Sequence, residues 1–282
     1  MERLVSKAEV RQAVRAARHN GQTVALVPTM GALHEGHLTL VQEACKRADY
    51  VVASVFVNPM QFGPTEDYGS YPRDIERDLS MLSAEGVDLV FTPTPEGMYA
   101  PDASVAVDPG IMGALWEGAI RPIHFRGVCT VVAKLFSIVA PDLAFFGEKD
   151  YQQLQIIRRM VRDLDLPVKV QGVPIMRAAD GLALSSRNVY LSAEERAAAT
   201  ALYRCLIAAV EGAREGQHDT VALGALMRTI VAAEPLVTIE YAEVVDPDSL
   251  VPIETLTASA RGIVAARIGT TRLIDNMAVA PR

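Results

Sequence analysis

The chain has little cysteine, no excess of positive charge and no apolar run long enough to span a bilayer. Each shortage removes a class of protein. Its 282 residues include three cysteines, Cys45, Cys129 and Cys205, isolated and odd in number. That pattern gives neither a disulfide framework nor a metal knuckle, and it fits reduced thiols in a cytoplasmic protein. Lys and Arg number 27 against 34 Asp and Glu, a net charge of −7. No nucleic-acid footprint is therefore expected, and any anionic ligand must be held by local positive groups. The longest apolar stretches, such as Val128 to Val139 with Lys134 inside it, are too short for a membrane span. Met1-Glu2-Arg3 leads into an amphipathic, charge-rich stretch without the apolar core of a signal peptide. The expectation is a cytoplasmic location with no membrane partner. No internal repeat or low-complexity tract is visible. What is present is an ordinary globular balance, 50% hydrophobic and 22% charged, enough to bury a core.

The pattern along the chain alternates strand and helix. Residues 1–20 read as a helix with Val10, Val14 and Ala17 on one face. Val24–Pro28 reads as a strand, 34–48 as a helix, and Tyr50–Val57 as a buried strand rich in β-branched residues. A helix at 74–85, a strand at 89–92, a Pro/Gly-rich stretch from Pro93 to Gly110 and a helix at 127–139 follow. The strand 143–146, the helix 151–163 and the strand 168–173 close the series. Such alternation implies an α/β fold with a parallel sheet, helices on both faces, and ligands outside the carboxyl ends of the strands. Beyond residue 176 the texture changes. Ser192-Ala193-Glu194-Glu195 is a capping box opening a long alanine-rich helix. A helix at 221–233 comes next, then strands at 237–244, 262–268 and 271–274 with a turn at Gly269. The expected division is a domain of residues 1–175 and a smaller α+β domain of residues 176–282, covering the first like a lid.

The most informative segment is Val27-Pro28-Thr29-Met30-Gly31-Ala32-Leu33-His34-Glu35-Gly36-His37. A strand ending in a Pro/Gly turn and opening a helix is expected to present free backbone N–H groups, an anion site. His34 and His37 on that first turn can donate to or protonate a phosphate oxygen. Two surface histidines beside a turn are the plain alternative. Zinc would require a third ligand at recognisable spacing, whereas His19, His124 and His218 are scattered. Gly147-Glu148-Lys149-Asp150 follows a strand end, where a solvated turn is common but a ribose or phosphate contact also fits. Leu184-Ser185-Ser186-Arg187-Asn188 offers hydroxyls and a guanidinium to a polyphosphate, or serines that merely cap. Asn58 and Gln61 after a buried strand suit hydroxyls and carboxylates, or an ordinary polar loop. Arg121-Pro122-Ile123-His124-Phe125-Arg126-Gly127 precedes a helix and reads as salt bridging between domains. No Ser-His-Asp or reactive-cysteine arrangement accompanies these groups.

Taken in order, the segments 28–37, 56–63, 125–127, 146–153 and 184–188 resemble the pantoate–β-alanine ligase family, within the nucleotidyltransferases that carry a His-x-Gly-His signature. The resemblance spans the whole chain. It implies a Rossmann-like N-terminal domain and ATP-dependent condensation of pantoate with β-alanine through an acyl-adenylate, releasing AMP and pyrophosphate. By position it implies ATP contacts from Met30, Gly31, Ala32, Leu33, His34, Glu35, Gly36 and His37, with the histidines on the phosphates. Gly147 and Asp150 fall to the ribose, and Glu148 to the nucleotide. Lys149, Ser185, Ser186 and Arg187 fall to the phosphates, and Met176 and Leu184 to the nucleotide. Gln61, Gln153 and Asn58 would serve pantoate and β-alanine. The catalytic groups implied are His37, His34, Lys149 and Arg187. Mg²⁺ would accompany ATP, and a homodimer is implied. Where the family often carries adjacent acidic residues, this chain has Arg77-Asp78, so the resemblance assigns no protein ligand to the metal. A nucleotidyltransferase acting on a phosphate ester would call for more arginine around the acceptor, and a regulator that only binds would not need the histidine pair.

Overall fold

The computed structural model describes residues 1–64 and 66–281. Its contacts divide the chain into two compact units, residues 1–148 with 152–174, and residues 149–151 with 175–282. The first contains β1 (Glu2–Leu4), α1 (Lys7–His19), β2 (Val24–Thr29), α2 (Glu35–Cys45), β3 (Tyr50–Val55), α3 (Ile75–Ala84) and β4 (Leu89–Phe91). It continues through α4 (Pro95–Met98), α5 (Glu117–Ile120), α6 (His124–Val139), β5 (Leu143–Gly147), α7 (Tyr151–Asp163) and β6 (Lys169–Val173).

Six strands form one sheet in the order β1-β4-β3-β2-β5-β6, and every neighbouring pair is parallel. The chain runs outward from β2 through β3 and β4, then returns to the other side of β2 with β5 and β6. The strand order therefore reverses between β2 and β5, and the carboxyl ends of those two strands flank the position where α/β sheets take ligands. Val24 to Val27 are all buried because helices cover both faces, which is why β2 reads as a continuous apolar run. On one face Val27, Ala53, Val90 and Phe145 pack with Leu40, Val41 and Ala44 of α2 and Leu82 of α3. On the other, α1 and α6 lie against each other and against β2.

The second unit has its own core. It contains α8 (Ala193–Ala198), α9 (Ala201–Arg214), α10 (Thr220–Ala232) and the antiparallel sheet β7 (Val237–Val245), β8 (Ala260–Ile268) and β9 (Thr271–Val279). Gly269, at φ +56°, opens the two-residue hairpin loop between β8 and β9.

Three local expectations change. Residues 2–4 are not helical: they pair with Leu89–Phe91 as an edge strand. A three-residue edge strand is set by its partner and leaves no periodic signal. The alanine-rich helix from Ser192 is broken at Ala199–Thr200 into α8 and α9, although the Ser192–Glu195 capping box forms. Strands β8 and β9 run further than the apolar pattern suggests because the hairpin ladder extends pairing to Ala260 and Val279.

Candidate active site

The turn after β2 is built differently from a bare helix start. Met30 leads into Gly31 at φ +82° and Ala32 at φ +51°, two left-handed residues in succession that reverse the chain within a few bonds. His34 is the N-cap of α2 and His37 its third residue. The Gly36 N–H donates to His34 Nδ1 at 3.1 Å, and the His34 N–H to His37 Nδ1 at 3.4 Å. A backbone N–H can only donate, so each neutral imidazole carries its proton on Nε2. The capping box thus fixes both tautomers, with ring centroids 4.1 Å apart.

The three amides just ahead of the cap are occupied. Gly31 N–H donates to Thr29 Oγ1 at 3.2 Å. Ala32 N–H donates to Asp78 Oδ2 at 2.9 Å and Leu33 N–H to Asp78 Oδ1 at 2.8 Å. A buried turn must satisfy its amides internally, and the acceptor comes from α3, more than 40 residues away in sequence. Beside these amides the turn carries the two imidazoles of His34 and His37. Burial raises the Asp78 carboxyl above its ordinary value against the pull of those two amides. Asp78 also lines a cavity of about 240 Å³ with Met30, Gly31, Tyr68 and Arg73.

After β3, Asn58 caps a single 3₁₀ turn, Pro59–Gln61. Its Nδ2 donates to Gln61 Oε1 and to the Gly127 carbonyl, both at 3.1 Å. Its Oδ1 accepts from Tyr99 Oη at 2.7 Å and Met60 N–H at 3.3 Å. Two donors and two lone pairs are the whole capacity of a primary amide. Asn58, expected among the substrate contacts, is instead fully engaged behind Gln61. Gln61 Nε2 reaches the Met30 sulfur at 3.1 Å, which ties this turn to the histidine turn.

The segment 121–127, read as salt bridging between domains, works within the first unit. Arg121 Nη2 pairs with Glu66 Oε2 at 2.5 Å and reaches the Gln61 carbonyl at 3.4 Å. His124 Nδ1 donates to that carbonyl at 3.0 Å while Arg121 Nη1 lies 3.2 Å from Nε2. Burial, then the Arg121 charge, lowers the His124 imidazole to about 4, so it is neutral near pH 7. For Glu66, burial pushes upward, but the Arg121 hydrogen bond and charge outweigh it and hold the carboxyl below its ordinary range. Gly127 allows α6 to touch the Met60–Gln61 backbone: a Cβ there would collide with the Met60 carbonyl oxygen and lie 2.6 Å from the Gln61 nitrogen.

At the end of β5, Gly147 has open space where a Cβ would stand. Gln153 is partly exposed, whereas its neighbour Gln152 is buried and holds the Met112 and Leu115 carbonyls at 2.9 and 2.8 Å. In the second unit, Lys149 Nζ lies 3.8 Å from Asp150 Oδ1. The Lys149 carbonyl accepts from Asn276 Nδ2 at 2.9 Å. The Met176 carbonyl accepts from Leu184 N–H at 3.0 Å. Ser185 Oγ caps the Arg187 N–H at 3.3 Å, so this serine does cap locally. Arg177 forks onto Asp275 at 2.6 and 2.9 Å. Sequence reading missed Tyr99, Arg177 and Asp275 in these supporting roles because their partners are distant in the chain. Among the described residues no group of three or more His, Cys, Asp or Glu side chains is arranged for a metal ion, and all three cysteines are free. No helix among them is long and apolar enough to cross a membrane.

Fold and turn together define an α/β protein with a His-x-Gly-His helix start at the reversal point of a parallel sheet. The family model described as Pantoate-beta-alanine ligase matches residues 3–278. A pantothenate synthetase from Roseiflexus sp. (strain RS-1) is 55% identical over 90% of this chain and 91% of its own length. A crystal structure of pantothenate synthetase from Thermus thermophilus superposes with a TM-score of 0.94 at 51% identity, covering 100% of both chains. A pantoate-beta-alanine ligase from Francisella tularensis, complexed with beta-gamma ATP and beta-alanine, gives 0.80 at 30% identity over 98% of this chain and 97% of that one. The chain belongs to the pantoate–β-alanine ligase family.

Proposed function

We infer that the chain joins pantoate to β-alanine at the expense of ATP through a pantoyl-adenylate, releasing AMP and diphosphate. The carrying observation is the imidazole pair of fixed tautomer at the carboxyl end of β2, beside the reversal of strand order. The relative complexed with beta-gamma ATP and beta-alanine supports ATP and β-alanine as ligands. In this reading His34 and His37 give Nε2–H bonds to the phosphates, Lys149 and Arg187 give positive charge, and Ser185 and Ser186 give hydroxyls. Gly147 and Asp150 take the ribose, Glu148 the nucleotide, and the backbone of Met176 and Leu184 the adenine. Met30, Gly31, Ala32, Leu33, Glu35 and Gly36 shape the turn. Gln61 and Gln153 bind pantoate, with Asn58 orienting Gln61. Mg²⁺ would accompany ATP and supply positive charge to the triphosphate. A cytoplasmic homodimer belongs to the same proposal by family resemblance.

The chemistry suits these groups. A pantoate carboxylate oxygen attacks the α-phosphorus, the bond to the bridging oxygen breaks, and diphosphate leaves with the electron pair. Charge grows on the α-phosphate and the leaving group, where preorganised donors lower the barrier. The β-alanine amine then attacks the acyl carbon, AMP leaves, and the amine proton passes to solvent. No protein nucleophile is required.

With Mg-ATP and pantoate but no β-alanine, pantoate-dependent pyrophosphate–ATP exchange is expected, followed by AMP when β-alanine is added. Exchange that never depends on pantoate defeats the acyl-adenylate. His34→Ala and His37→Ala are each expected to abolish most turnover, by about 100-fold or more, while ATP still binds. Unchanged turnover in both would reduce the site to nucleotide binding.

A further inference from the structure

We propose that Asp78 is the positioning residue of the histidine turn: its carboxylate clamps the Ala32 and Leu33 amides and so sets where His34 and His37 meet the nucleotide. The inference rests on the reading that these histidines face the phosphates of ATP. Three observations carry it. Asp78 is 1% exposed, and each of its oxygens takes one N–H of the turn at 2.8–2.9 Å. It lies in the first turn of α3, whose N-terminus favours a carboxylate, so its anchorage is independent of α2. Finally, a Cβ on Gly31 would stand 2.7 Å from Asp78 Oδ2 and 3.0 Å from a Val55 methyl, so the turn is shaped around the carboxylate. The clamp holds Ala32 in its left-handed conformation two residues before the His34 cap. Charge-assisted hydrogen bonds of this kind are stronger and shorter than neutral ones. Displacing a transition-state donor by about 1 Å can cost about 100-fold in rate. Each oxygen spends one of its lone pairs on the turn.

Asp78→Asn tests this directly, because its amide can keep one of the two acceptor contacts and must set a donor against the other. In the full-length protein without substrate, the Ala32 and Leu33 amide protons should shift in ¹⁵N-resolved spectra and exchange about tenfold faster or more, while other α2 amides keep their protection. In the exchange assay, kcat should fall about 100-fold with the KM for pantoate unchanged and the same Mg²⁺ concentration for half-maximal rate. Native amide protection or a native rate in Asp78→Asn overturns the clamp. So does recovery of the rate at raised Mg²⁺, which would assign the carboxylate to the cation. Should the Asp78 variant not fold, Gly31→Ala pushes the carboxylate off the turn and must give the same kcat loss; a native rate there overturns the proposal. If wild-type protein shows no pantoate-dependent exchange, the functional reading fails and the amide measurement still decides the clamp.

Discussion

His124 illustrates how a single residue is decided by its surroundings. On sequence it is one of three scattered histidines. In the structure it is a buried, neutral link between Arg121 and the carbonyl of Gln61, with Glu66 and Glu117 the nearby acids. Its imidazole titrates at about 4 when folded against 6.5 ordinarily. Between those values the unfolded chain holds the extra proton, so stability falls as the pH drops through that window. The full difference is worth about 3 kcal/mol. Urea unfolding of wild-type and His124→Gln protein from pH 7.5 to 4 should show wild-type losing about that much more than the variant. Parallel pH profiles for the two proteins would contradict the burial argument. Asn58 teaches the same lesson, since its residue type suits a substrate contact but its full hydrogen-bonding capacity goes to the protein.

Elements meet through particular residues. α6 approaches the 3₁₀ turn Pro59–Gln61 only because Gly127 carries no side chain. Gly127→Ala should therefore cost about 1–3 kcal/mol by overpacking and, on the proposal that Gln61 binds pantoate, raise the KM for pantoate by displacing the Gln61 backbone. Denaturant midpoints and pantoate titration check both effects; a variant of native stability and native KM would show that the contact yields without consequence. The α2 start carries a second lesson. Its motif is legible at once, and its helix begins where the pattern predicts. Yet Asp78 holds the Ala32 and Leu33 amides just before the cap, and the histidines hold the amides of His34 and Gly36. Hydrophobic period locates an element; it cannot say which distant acceptor closes its terminus.

At the scale of the whole molecule, distant stretches of chain converge. Arg177 forks onto Asp275, whose Oδ1 also accepts the Asn276 N–H at 2.7 Å, and Asn276 Nδ2 holds the Lys149 carbonyl. Burial raises the Asp275 carboxyl against the opposing pull of Arg177. Arg177→Met strands that buried carboxylate and should destabilise the protein by about 3–5 kcal/mol. Adding Asp275→Leu should recover most of the stability but, on the proposal that Lys149 serves the phosphates, not the exchange rate, since Asn276 and Lys149 lose their support. Calorimetry and the exchange assay together check this; a fully active double variant would detach the network from Lys149. A second large-scale feature is the reversal of strand order between β2 and β5, which brings the His34–His37 turn and Gly147-Glu148 to neighbouring strand ends although more than 100 residues separate them.

Periodicity, β-branched runs and turn residues were enough to read the parallel α/β class, most helices of the first unit and the antiparallel sheet near the C-terminus. The turn after β2 suggested an anion site, and the resemblance carried by five segments pointed to the family to which the chain belongs. Those signals are local, and each is written within a dozen residues. The edge strand Glu2–Leu4, the break at Ala199–Thr200, the engagement of Asn58 and the clamp by Asp78 were decided only in three dimensions. The reason is physical: a buried donor or acceptor must find a partner wherever the packed chain supplies one. No local pattern records that the partner of Leu33 is residue 78.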